Sequence, residues 1–205
     1  ARAREVMQNA DVSVIPGSAE GFTELGTALY QANEIGYPVM LKSAAGGGAK
    51  GMRLIHSEAQ LKHEFTMAQG EAQKAFGNPE MYLEKFIVRP RHIEVQILAD
   101  SFGNAVSLGE RDCSLQRYHQ KVMEEAPSAI DHKTRYEMLS TARRAAKALN
   151  FLGAGTIEFL YAGPSQFYFM EMNTRIQVEH SITEFITGVD LVRGQLRIAA
   201  GMALG

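Results

Sequence analysis

The stretch FYFMEMNTRIQVEH, Phe167 to His180, begins as an aromatic strand and ends in a crowd of polar and ionisable groups. Glu171, Asn173, Arg175, Glu179 and His180 all fall within it. Just upstream, GTIEFLY (155–161) carries one acid, Glu158, and Gly163–Pro164–Ser165 supplies a turn. A two-residue turn at Pro164–Ser165 opposes Gly163 to Gln166, Tyr161 to Tyr168 and Glu158 to Glu171. Directly opposed residues have Cβ atoms about 4.5–5.5 Å apart, and like charges there repel. Alternation places Asn173 on the face of Glu171, with Phe167 and Phe169 behind them as an apolar floor. Two carboxylates and an amide oxygen at the open end of a hairpin suit Mg²⁺ or Mn²⁺. Such ions bind through one or two carboxylates plus nucleotide phosphates. The competing reading turns one glutamate to solvent, with the register off by one. Arg175 could grip a planar oxyanion in bidentate fashion, and Glu179 could serve as a general base. A surface ion pair is the plainer reading of those two residues.

A second stretch, LKSAAGGGAKGM, holds G-x-G-x-x-G at Gly46, Gly48 and Gly51. The dinucleotide reading of that pattern requires a following helix, but MRLI (52–55) looks like a strand. A Walker A loop requires Gly-Lys-Ser/Thr, and here Gly51 precedes Met52. What remains is a glycine-rich hairpin tip over 44–51. Its bare amides can approach phosphates closely, and it could close as a lid. Lys42, at the end of the entering strand, adds a positive charge. The alternative is a plain flexible hairpin with a solvated lysine.

These residues need elements to hold them. Helical spacing appears over 1–9, 22–36, 131–150, 181–188 and 189–201, and from Ser57, a cap, to about Phe76. Asp131 is a plausible cap for its helix. Strands are expected at 12–18, 37–43, 52–55, 81–87, 92–100, 103–109, 155–161 and 166–173. In the fifth of these, Ile93, Val95 and Ile97 alternate with His92, Glu94 and Gln96. The stretch 110–128 reads as a polar segment. Strands come in adjacent pairs with helices between the pairs, which is an α+β pattern with mainly antiparallel sheets.

The 205 residues suffice for one large domain or two small ones. Hydrophobic content of 45%, charged content of 21% and a net charge of −2 give no basic excess for nucleic acid. No apolar run is long enough to span a bilayer. The single cysteine, Cys113, excludes an intramolecular disulfide, which suits a reducing compartment. ARAREVMQ has no start methionine and reads like the inside of a helix, so the chain is expected to be a piece of something larger.

Taken in order, PVMLKSAAGGGAKGMR, LEKFIVRPRHIEVQ, ERDCSLQRYHQKVMEEAP, GTIEFL, FMEMNTRIQVEH and TGVDLVRGQLRIAAG closely resemble biotin carboxylase, the ATP-grasp component of biotin-dependent carboxylases. The resemblance covers essentially the whole chain. It implies an ATP-grasp fold that binds MgATP between two subdomains: an entry helix and connector (1–18), a lid subdomain (19–87) and a larger subdomain (88–205). It assigns Lys42 and the loop glycines Gly46, Gly47, Gly48 and Gly51 to the phosphates. Met52 and the backbones of Lys85 and Ile87 go to adenine, with Glu84 nearby. His92 and Gln116 lie near the ribose, with His119 near the nucleotide. Glu158 and Glu171 are the metal ligands for Mg²⁺ or Mn²⁺, with Asn173 beside them. Lys121, Arg175, Gln177, Val178 and Glu179 form the bicarbonate pocket, and Glu179 is the base.

The implied chemistry has two steps. Bicarbonate attacks the γ-phosphate of ATP to give carboxyphosphate and ADP; carboxyphosphate then delivers CO₂ to biotin on its carrier protein. The implied partners are biotin carboxyl carrier protein and a carboxyltransferase, in a parent that forms homodimers and is cytoplasmic, or mitochondrial if eukaryotic. The family has an earlier domain with a second ATP-contacting lysine, and a later arginine at the biotin site. Both lie outside the chain, so it is expected to be a weak or inactive carboxylase alone. Two alternatives stand beside this one: a carbamoyl-phosphate or carboxylate–amine ligase, and a nucleotide-binding module without turnover. Cys113 is expected to be structural or incidental.

Overall fold

Two helix starts show local chemistry choosing the elements. The Ser57 hydroxyl accepts from the Gln60 N–H at 3.3 Å, and the Asp131 carboxylate accepts from the Thr134 N–H at 2.9 Å. Each satisfies a donor that the first helical turn leaves unpaired. The computed structural model describes residues 2–45, 52–118 and 120–204. In chain order the elements are α1 (Arg2–Asn9), α2 (Leu25–Ile35), β1 (Val39–Ser43), β2 (Arg53–Ile55), α3 (Glu58–Phe76), β3 (Met81–Lys85), β4 (Arg91–Ala99), β5 (Ala105–Arg117), β6 (Gln120–Glu125), α4 (His132–Ala148), β7 (Gly153–Gly163), β8 (Gln166–Asn173), α5 (His180–Thr187) and α6 (Leu191–Ala199). They fall into two compact units, Ile15–Ile87 and Arg2–Val14 with Val88–Gly205. The first helix of the expected entry segment therefore packs with the larger unit.

The smaller unit is an antiparallel sheet in the order β2-β1-β3 with α2 and α3. Ala28 and Ala32 of α2, and Leu61, Phe65, Ala68 and Ala72 of α3, are buried at helical spacing. They pack on Val39, Leu41, Met81 and Leu83, the inward residues of β1 and β3. The alternate residues Met40 and Lys42, paired with Glu84 and Tyr82, share the other face.

In the larger unit, five antiparallel strands run β6-β5-β4-β7-β8. Ile93, Val95, Ile97, Ile157 and Phe159 pack against Met138, Ala142, Ala145 and Ala146 of α4 and Met7 of α1. On the opposite face Leu98 and Ala154 meet Leu191 and Ile198 of α6. That second face also carries His92, Glu94 and Gln96, so the charged residues lie under cover rather than on a solvated surface.

Three expectations need correction. Residues 12–18 form no strand; Val14 and Gly17 make only isolated bridges, to Phe169 and Glu84. The polar stretch 110–128 is mostly sheet, because β5 continues to Arg117 and β6 follows. In the β7–β8 hairpin Tyr161 faces Phe167, not Tyr168, while Gly163 still faces Gln166 and Glu158 still faces Glu171. The reason is a pair of compensating bulges. Ala162 is the extra residue on β7 and Met170 the extra residue on β8, so the register slips by one and then recovers. Between the bulges the faces swap. Phe167 and Phe169 turn into the α4 core, and Leu160 and Met170 supply the apolar floor beside the carboxylates.

Candidate functional site

Cross-strand pairing sets one row of charge across the sheet. Arg111 of β5 faces Glu94 of β4, Glu94 faces Glu158 of β7, and Glu158 faces Glu171 of β8. Three acids in line need cations, and Lys121 and Arg111 supply two of them. Lys121 of β6 reaches in so that its Nζ donates to Glu94, to Glu158 Oε1 at 2.9 Å and to Glu179 Oε1 at 2.5 Å. The Arg111 guanidinium donates to Glu94 Oε1 at 2.6 Å. Glu158 Oε1 also accepts from Asn173 Nδ2 at 2.8 Å and Gln177 Nε2 at 3.2 Å. Its other oxygen lies 3.1 Å from His92 Nε2.

These contacts shape the ionisation. Burial resists charge on Glu94, but His92, Arg111 and Lys121 outweigh it and hold the carboxyl down to about 2. Glu158 is lowered for the same kind of reason, against burial, by His92 and Lys121. Glu171, although exposed, goes the other way: partial desolvation and the neighbouring Glu158 charge raise it. Lys121 is raised despite burial, because Glu94, Glu179 and Glu158 surround it, so it stays an ammonium and serves as a fixed cation, not a base. His92 is likewise raised to about 9 by Glu158 and Glu94, against burial.

Stability should therefore depend on pH in a defined window. Protonated His92 contributes in full below its free value of 6.5, and that contribution is lost as pH rises towards 9. Ionised Glu94 contributes in full above 4.5 and loses it as pH falls towards 2. The larger unit should be most stable between those free values. The alkaline loss should reach about 3 kcal/mol at most and flatten in His92→Asn. Urea midpoints measured across that range check this; a wild-type profile that stays flat from pH 6.5 to 9 counts against it.

The groove on this face has a volume of about 940 Å³ and is lined by His92, Gln116, Lys121, Glu158, Glu171, Asn173, Arg175, Gln177, Val178 and Glu179, among others. Ten of the expected site residues thus share one wall system. Gln116 Nε2 lies 3.1 Å from His92 Nδ1. Arg175 and Val178 are exposed, and Gln177 is buried with no partner for its amide oxygen among the described residues. Glu179 sits at the N-cap of α5 yet does not cap it; its carboxylate goes to Lys121 instead.

The opposed acids fit a hard divalent cation. Both offer oxygen, and the raised Glu171 is the repulsion such a cation would relieve. Asn173 meets Glu158 through its amide nitrogen, so ligation by its oxygen requires the amide to turn. Two other clusters, His92–Glu94–Glu158 and Glu94–Cys113–Glu179, hold ligand atoms within 4.8 Å. Lys121 and Arg111 already neutralise the acids in both. Cys113 is buried, and burial with the Glu94 charge pushes its thiol well up, leaving it protonated.

The expected residues of the smaller unit are arranged separately. Lys42 Nζ ion-pairs with Glu84 and stands 5.8 Å from the centre of the Tyr82 ring. Lys85 donates its backbone N–H to Pro16 O at 2.7 Å and its Nζ to Gly36 O at 2.7 Å. Any adenine contact at the Lys85 backbone would therefore use its carbonyl. Met52 and Ile87 are half-buried. The expected contacts at Gly46, Gly47, Gly48, Gly51 and His119 lie outside the described residues. Sequence reasoning did not single out Arg111, although RDCS carries it, nor give Glu94 a role.

The whole chain, residues 1–205, matches the family model of the carbamoyl-phosphate synthase L chain, ATP binding domain. It is 58% identical over 204 residues to biotin carboxylase of Nostoc, covering 98% of this chain and 45% of that protein. It is 52% identical to biotin carboxylase 1 of Bacillus subtilis, with the same coverage. The chain thus spans about half the length of the curated relatives it matches. Among solved structures, biotin carboxylase of Campylobacter jejuni in its β,γ-ATP complex superposes with a TM-score of 0.89 at 51% identity, covering 100% of this chain and 46% of that one. The biotin carboxylase domain dimer of Hydrogenobacter thermophilus 2-oxoglutarate carboxylase, bound to MgADP, ADP and bicarbonate, gives 0.86 at 49% identity, covering 99% and 45%. With its antiparallel α+β architecture and its row of paired carboxylates, the chain belongs to the carbamoyl-phosphate synthase L chain ATP-binding domain family, in company with the biotin carboxylases.

Proposed function

We propose that this chain carries the ATP-grasp core of a biotin carboxylase, which uses MgATP and bicarbonate to carboxylate biotin on biotin carboxyl carrier protein. The observation that carries the reading is Lys121. It is a cation bridging Glu158, the proposed metal ligand, and Glu179, the proposed base, on the wall that also presents Arg175, Gln177 and Val178.

In this assignment Lys121, Arg175, Gln177 and the Val178 backbone hold bicarbonate, and Glu179 takes its proton. The freed oxygen attacks the γ-phosphorus, the bond to ADP breaks, and carboxyphosphate forms. Carboxyphosphate then delivers CO₂ to the ureido nitrogen of biotin. Glu158, Glu171 and Asn173 would hold a divalent cation, which would supply charge neutralisation at the phosphates. Lys42 and the loop glycines Gly46, Gly47, Gly48 and Gly51 contact those phosphates, and His92, Gln116 and His119 lie near the nucleotide. Met52, the Lys85 carbonyl and the Ile87 backbone contact adenine, with Glu84 nearby. The carrier protein and a carboxyltransferase are the partners, in a parent that pairs as a homodimer. Among the described residues no helix is long and apolar enough to cross a membrane. The proposed setting is the cytoplasm, or the mitochondrion if the parent is eukaryotic.

Calorimetric titration of MgATP tests the metal site. Wild type should bind, and Glu171→Gln should lose about tenfold or more of its magnesium-dependent affinity. Equal affinity in the two proteins would sink the paired-carboxylate assignment. Stimulation of bicarbonate-dependent ATP turnover by added biotin separates this reading from a carbamoyl-phosphate ligase.

A further inference from the structure

Among the described residues, Arg111 and Glu94 form the one ion pair whose two side chains are both fully out of solvent. A buried pair gains little over apolar side chains of the same volume, so stability alone is a weak reason for it. The geometry supplies a better one. The guanidinium reaches four groups on three elements: Glu94 and Gln96 of β4, Thr156 of β7 and Thr183 of α5. Glu94 then divides its carboxylate, with Oε1 taking Arg111 and Oε2 taking Lys121. Lys121 goes on to Glu179. Glu179, the N-cap of α5, lies four residues, about one helical turn, before Thr183. The path closes on itself: Arg111, Glu94, Lys121, Glu179, one turn of α5, Thr183, and back to Arg111.

We propose that Arg111 is the positioning residue of the anion-binding end of the groove, locking α5 and Lys121 into one rigid ring so that Glu179 and Lys121 face the same substrate oxyanion. This rests on the assignment of bicarbonate to that end. Arg111 touches no substrate. It acts by fixing two groups that do, and its planar fork is what lets one side chain hold β4, β7 and α5 together. Lysine carries the charge without the fork and cannot span those partners. Glu179 fits this picture, since it gives up capping its own helix in order to complete the ring.

The test uses Arg111→Lys, Thr183→Val and Thr183→Ser in the full chain. Three quantities are read: MgADP affinity, bicarbonate affinity with MgADP bound, and amide hydrogen exchange along α5. In Arg111→Lys and Thr183→Val, bicarbonate should weaken about tenfold while MgADP changes no more than about twofold. In Thr183→Val exchange should accelerate in α5 but not in β4, and Thr183→Ser, which keeps the hydroxyl, should match wild type. Equal loss of both ligands with faster exchange throughout the larger unit would make Arg111 a general stabiliser and overturn the proposal. So would unchanged bicarbonate affinity. If wild type binds MgADP but no bicarbonate, the functional assignment falls and the ring is judged on exchange alone. Acceleration confined to α5 in Thr183→Val upholds it, and no local change ends it. If Arg111→Lys does not fold, the two Thr183 variants decide the matter.

Discussion

Replacing Glu94 with leucine is expected to destabilise the larger unit by about 3–5 kcal/mol, the cost of leaving a buried charge without its partner. Arg111 would keep its amide and hydroxyl contacts to Gln96, Thr156 and Thr183 but lose its only counter-ion among the described residues. A domain holds roughly 5–15 kcal/mol in all, so the variant should be close to unfolding. Hydrogen exchange of β4 and β7 amides in urea gives the measurement. Glu94→Gln keeps an acceptor for the guanidinium and should lose less. Pairing Glu94→Leu with Arg111→Met should recover much of the stability, because both charges are then gone. A single-variant loss below about 1 kcal/mol would show that Lys121 and the polar partners compensate Arg111 without Glu94.

Glu179→Gln should have the largest effect on chemistry. Removal of the proposed general base should lower turnover by about 10²–10⁴-fold. MgATP affinity should change little, because Glu179 contacts neither Glu158 nor Glu171 and Lys121 retains its bonds to Glu94 and Glu158. Bicarbonate-dependent ADP formation is the readout, in whichever length of polypeptide shows wild-type turnover. A fall in MgATP affinity matching the fall in rate would show that Glu179 organises the nucleotide site and does not act as a base. Unchanged turnover would remove it from the chemistry.

The helices were legible because their signals are local. Ser57 and Asp131 cap where hydroxyl and carboxylate can reach an N–H three residues on, and that depends on nothing distant. The alternation of β4 was legible for a similar reason: Ile93, Val95 and Ile97 enter one core, and the polar set faces the other way. The opposition of Glu158 to Glu171 could be counted from the turn, but only because two bulges cancel. Between them the count fails, and Phe167 and Phe169 go to the core. No residue type marks Ala162 or Met170 as the extra one, and only the packing of the hairpin on α4 selects them.

Arg111 shows the limit most clearly. Counted outward from Leu98 opposite Val106, an unbroken ladder would set Glu94 against Glu110, acid against acid. A bulge between Val95 and Ile97, with Gly109 at φ 86, inserts one extra residue on β5 and advances the register by one. Glu94 then meets Arg111, and Glu110 turns to Arg135 on the opposite face. The polar stretch 110–128 reads as loop because its buried partners come from β4, α4 and α5, far away in the chain. The sequence by itself determined the helices, the caps at Ser57 and Asp131, the α+β class and the kinds of groups proposed for phosphate, metal and oxyanion, because these follow from neighbours within a few residues. Tertiary structure alone decided which charges meet. Pairing across a sheet has a period of two, and a single inserted residue exchanges every partner beyond it.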